Sequence, residues 1–87
     1  MKYLMSYKIS NISPHQSRAA RALLDWSRGD LAERSKVSNA TLADFEAGKR
    51  VPYDRTIADI VKAFEDAGLQ FIPENGGGAG VRFRDRK

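Results

Sequence analysis

Eighty-seven residues with a net charge of +4, no cysteine and a single histidine suit one small domain and exclude a disulfide framework or a thiolate zinc site. No apolar run approaches the roughly 18 residues of a membrane span, and the first ten residues, MKYLMSYKIS, lack the apolar core of a signal peptide. A soluble cytoplasmic protein is expected, and its basic balance suits a nucleic-acid partner.

Residues 3–9, YLMSYKI, are aromatic and apolar without a breaker and predict a short strand or arm. Ser13-Pro14-His15-Gln16 reads as a helix start. Serine caps, proline suits the first turn, and glutamine three residues on completes a capping box. The first helix runs to about Asp25, with Ala19, Ala20, Leu23 and Leu24 as its apolar face and Trp26 just beyond. Ser27 and Asp30 repeat the cap signal. The second helix, about 28–34, buries Leu31 and Ala32. A tight turn at Ser35-Lys36-Val37 leads to Ser38, the cap of a third helix over about 39–47 that buries Leu42 and Phe45. Gly48 is placed to end it in the left-handed conformation.

A basic loop at 49–53 precedes a fourth helix capped by Asp54 or Thr56. It stops at Gly68 and carries the apolar stripe Ile57, Ile60, Val61 and Phe64. The period then changes. Residues 69–72 and 81–84 read as strands about the glycine-rich turn 73–80, which predicts a β-hairpin. A lone hairpin is marginal in water, so a third strand is expected from residues 3–9 or from a second chain. The predicted fold class is mainly α. An arm or strand occupies 1–12, four helices occupy 13–68, and a hairpin in 69–87 is a candidate dimerisation element.

Charge is unevenly spread. Residues 18–50 hold seven bases against five acids, 51–75 two against five, and 76–87 four against one. The first half and the C-terminus therefore suit phosphates, whereas the fourth helix region is acidic.

Two short capped helices joined by a tight turn, with a longer helix before them, are the pattern of a helix-turn-helix whose second helix enters the major groove. The stretch WSRGDLAERSKVSNATLADFEAGKR resembles the core of the Cro/cI-type, or Xre, helix-turn-helix family. Its matching residues are Ser27, Leu31, Ala32, Val37, Ser38, Glu46, Gly48 and Lys49, and the resemblance spans about 16–67. It implies a four-helix, lambda-repressor-like domain that binds double-stranded DNA as a transcriptional regulator; a homodimer is expected because one small unit contacts few bases and two-fold pairing doubles them.

The resemblance also implies roles. Arg28, where glutamine is usual, would grip a phosphate. Asn39, Ala40 and Asp44, with Thr41 close by, would read bases. Asparagine can bond adenine N6 and N7, alanine can meet a thymine methyl, and aspartate can accept from cytosine N4. Ser38 suits a phosphate or a cap, and Lys49 and Arg50 suit phosphates, with Arg18 a weaker candidate. Glu46 would pair inward with Arg21.

Two residues depart from the family pattern. Lys36 stands where glycine is usual. A non-glycine at positive φ costs about 1 kcal/mol, so a differently shaped turn is one expectation and a further phosphate contact from Lys36 another. The reading helix also lacks the glutamine or arginine many relatives use, so DNA shape is expected to share in recognition.

The inventory argues against an enzyme. His15 has no cysteine or carboxylate cluster beside it, and the GGGAG run from Gly76 lacks the Lys-Ser/Thr and the following helix of a phosphate loop. No metal-ligand spacing or cofactor motif is read. Residues 39–46 carry two acids, Asp44 and Glu46, and no base. This feature favours an alternative reading, a helix-turn-helix-fold interaction module (an antiactivator) that does not bind DNA. The runner-up within the DNA-binding chemistry is an antitoxin, whose C-terminal strands would bind a toxin as well as support autoregulation.

Overall fold

Serines start the first three of four helices in the computed structural model, which describes residues 11–86. The expected strand at 3–9 lies outside the described residues. Helix α1 (Pro14–Leu24) opens on a capping box. Gln16 N–H donates to Ser13 Oγ at 3.1 Å, and Ser13 N–H donates to Gln16 Oε1 at 2.9 Å. Helix α2 (Arg28–Ser35) repeats the device with Ser27 and Asp30, at 3.0 and 2.9 Å. Helix α3 (Asn39–Glu46) is capped by Ser38, whose Oγ accepts from Thr41 N–H at 3.1 Å.

Helix α4 (Asp54–Asp66) departs from expectation. Its cap position is held by Tyr53, which makes no side-chain capping bond. Asp54 lies instead inside the first turn, where a carboxylate is favoured by the helix dipole.

The inward face of α1 also differs from the expected one. Ala20 is buried and Leu24 packs on the core, but Ala19 is exposed and Leu23 is 39 % exposed. Gln16 and Ser17 take the inward places. Both polar side chains are satisfied there, Gln16 Nε2 by the Gly80 carbonyl at 3.0 Å and Ser17 Oγ by Glu46 Oε2 at 2.6 Å. Paired polar groups are compatible with burial, and an apolar count alone does not find them.

The core joins Leu31, Val37, Leu42 and Phe45 to the α4 stripe Ile57, Ile60, Val61 and Phe64. The Phe64 ring stacks on Trp26 at 5.7 Å and meets Phe71 edge-on at 5.8 Å. Arg34 lies over the other partner of this stack, 4.8 Å from the Trp26 ring centroid.

Strands β1 (Leu69–Ile72) and β2 (Gly80–Phe83) pair antiparallel, with Leu69 opposite Phe83 and Phe71 opposite Val81. Leu69 and Phe71 are buried and Val81 and Phe83 pack on the same core, while Gln70 and Arg82 face outward and bond each other at 3.0 Å. The hairpin lies on α1 and α4. Gln16 holds its β2 end, and Arg84 Nη1 donates to the Glu65 carbonyl at 3.2 Å. Helices α1 and α4 therefore support one face of the hairpin; the third strand expected from residues 3–9 lies outside the described residues.

Candidate nucleic-acid interface

The turn between α2 and α3 keeps the left-handed form that glycine would favour. Lys36 has φ 63° and ψ 24°, its N–H donates to the Ala32 carbonyl at 2.9 Å, and Val37 N–H donates to Ser35 Oγ at 3.2 Å. The turn is thus not reshaped around the lysine. Burial of Val37 next to it holds the strained residue in place.

Helix α3 has eight residues, or about 12 Å of length, comparable with the width of the major groove. Leu42, Phe45 and Glu46 point inward, while Asn39 and Ala40 are exposed and Thr41, Ala43 and Asp44 are half-buried.

The inward place of Glu46 rests on several donors. Arg21 Nη2 donates to Oε1 at 2.8 Å and Arg21 Nε to Oε2 at 3.0 Å, forming a two-point fork. Ser17 Oγ donates to Oε2. The glutamate is 5 % exposed, so its charge is turned away from the outer face of α3. Arg21 also donates through Nη1 to the Trp26 carbonyl at 3.2 Å. The pairing inferred from the resemblance is present, and Ser17 completes it.

At the other end of α3, Arg28 Nε donates to Asn39 Oδ1 at 3.0 Å, with both side chains exposed. Arginine offers only donors, so the Asn39 oxygen must face it and the Nδ2 group is turned away. Ser38 Oγ donates to Thr41 Oγ1 at 2.9 Å besides accepting from Thr41 N–H. Ser38 is thus engaged as a cap, and the Thr41 hydroxyl keeps its own proton for an outside acceptor. Asp44 has no side-chain hydrogen bond or ion pair among the described residues.

Lys49 and Arg50 follow α3 after Ala47 and Gly48 and are exposed, as is Lys36. Arg18, read as a weak phosphate candidate, donates through Nη1 to the Glu46 main-chain carbonyl. Sequence reasoning missed that contact, and it passed over Val51 and Tyr53, which are 91 % and 81 % exposed beside Lys49, Arg50 and Arg55. A signal for Tyr53 was present: a tyrosine stood where a serine or aspartate cap would serve better. Among the described residues no group of three or more His, Cys, Asp or Glu is placed to hold a metal, and no helix is long and apolar enough to cross a membrane.

Residues 18–66, more than half of the chain, match the family model described as Helix-turn-helix. No curated protein matches the chain.

Proposed function

The chain belongs to the Cro/cI-type helix-turn-helix family of DNA-binding regulators, and from that membership we propose that it is a sequence-specific repressor or autoregulator acting in the cytoplasm. It binds a palindromic operator as a homodimer, with α3 in the major groove of each half-site. The observation that carries this reading is the separation of charge around α3. Glu46 is turned into the protein against Arg21, and exposed cations stand before and after the neutral tip of the helix.

In this reading Asn39, Ala40 and Thr41 face the bases. Asn39 Nδ2 donates to adenine N7, and the second lone pair of Oδ1 accepts from N6 while the first stays with Arg28. Ala40 meets a thymine methyl. Arg28, Lys36, Lys49 and Arg50 hold phosphates, and Ser38 serves chiefly as the cap. The homodimer forms through the outer face and edge of the hairpin, with residues 3–9 as a candidate addition. A single small unit contacts few bases, and two-fold pairing doubles them.

Asp44 supports a second reading. Its carboxylate sits on the helix that would face a polyanion and forms no ion pair among the described residues. It either accepts from cytosine N4 or belongs to an interaction module that does not bind DNA. A protein partner such as a toxin fits either case.

A mobility-shift assay with DNA from upstream of the chain's own gene, at two salt concentrations, separates the readings. Specific, salt-sensitive binding supports the regulator. Absence of binding at low salt favours the interaction module. Sedimentation equilibrium tests the dimer, and a monomer at concentrations that saturate the operator rules it out.

A further inference from the structure

We infer that Arg18 is a positioning residue of the reading helix rather than a phosphate contact, an inference that rests on the sequence-specific DNA-binding reading above. The last carbonyls of a helix have no intrahelical partner. Around the end of α3 the following amides go to earlier carbonyls: Ala47 to Ala43 at 3.0 Å, Gly48 to Phe45 at 3.0 Å and Lys49 to Asp44 at 2.9 Å. The Glu46 carbonyl is taken by the Arg18 guanidinium, which comes from α1. A cation there also meets the negative end of the helix dipole.

Ser17 and Arg21, on the same helix, hold the Glu46 carboxylate. Helix α1 thus grips one residue of α3 through both its side chain and its main chain. The opposite end of α3 is held by Arg28 of α2 through Asn39. The reading helix is tied at both ends by arginines from the two helices before it. Lys49 and Arg50 lie three and four residues beyond the carbonyl that Arg18 holds, after Ala47 and Gly48. Arg18 therefore sets the placement of the phosphate-gripping loop relative to the base-facing tip. Losing that placement weakens binding only where both must engage at once, which is at the operator.

The test compares wild type, Arg18→Ala and Arg18→Lys on two labelled duplexes, the promoter fragment from upstream of the chain's own gene and a scrambled duplex of equal length, over a salt series. Thermal melting of each variant accompanies it. The expected result for Arg18→Ala is about a tenfold loss of affinity for the promoter fragment, the size of one charge-assisted hydrogen bond. Affinity for scrambled DNA and the salt slope stay unchanged. Arg18→Lys, which keeps a donor and the charge, recovers most of the loss and serves as the test if the alanine variant melts early. A parallel loss on both duplexes with a salt slope reduced by about one makes Arg18 a phosphate contact and overturns the inference. Unchanged promoter binding by Arg18→Ala, with wild type still specific, overturns it alone. A wild-type protein that does not distinguish the two duplexes overturns the functional reading and this inference together.

Discussion

Arg21 and Glu46, 25 residues apart in the chain, meet through two N–H···O bonds of 3.0 and 2.8 Å, with the carboxylate almost wholly removed from solvent. The fork joins α1 to the last residue of α3. Its net contribution to stability is small, because removing two charges from water offsets most of their attraction. Removing one partner is different, since the other charge is then buried alone.

Arg21→Ala is therefore expected to destabilise the fold by about 3–5 kcal/mol, a large part of the stability of a domain this small. Glu46→Gln, which leaves the guanidinium without its counter-charge, is expected to act in the same direction. Chemical denaturation followed by circular dichroism measures both. An Arg21→Ala protein that melts like wild type contradicts this account.

Lys49→Ala and Arg50→Ala act differently. Both side chains are exposed and neither forms an ion pair among the described residues, so stability should change little. If each holds a phosphate, either substitution weakens binding to all DNA sequences about equally and lowers the slope of log affinity against log salt by about one. Titrations at several salt concentrations read the slope. A loss confined to one operator sequence argues against the phosphate assignment.

Lys36→Gly should raise thermal stability. The residue has φ 63°, which costs an L side chain about 1 kcal/mol or more that glycine does not incur. The greater freedom of glycine in the unfolded chain takes back part of that gain. A net gain of about 0.5 kcal/mol, or roughly 2–4 °C in Tm, is expected. The same substitution should weaken DNA binding if Lys36 holds a phosphate. Calorimetry and binding titration on one sample test both, and a lower Tm contradicts the strain argument.

Phe71→Ala tests whether the hairpin is part of the core. Phe71 is buried against Phe64, so truncation should cost about 3–5 kcal/mol. One cooperative transition shifted to lower denaturant is the expected outcome. Melting unaffected by the substitution would mean that the hairpin is an independent appendage. By the same reasoning, deleting 69–87 removes Leu69 and Phe71 from the core, so such a deletion does not isolate the dimer interface.

Much of the framework was legible in the sequence, because helix starts and ends are decided by local chemistry. Ser13, Ser27 and Ser38 each cap within three residues, and Gly48 ends α3 at φ 75°. The 3.6-residue stripe of α4 and the strand period after Gly68 are local as well. The Arg21–Glu46 pair came from likeness to a family rather than from spacing.

Tertiary structure decided the matters that depend on residues far apart in the chain. Ser17 and Gln16 face inward on α1 because Glu46 and the Gly80 carbonyl await them. The hairpin rests on helices because Phe64 presents a ring to Phe71. Arg18, though exposed, reaches the end of α3, where the Glu46 carbonyl accepts from its guanidinium. A polar side chain's direction follows from where its partner sits, and that distance closes only when the chain folds.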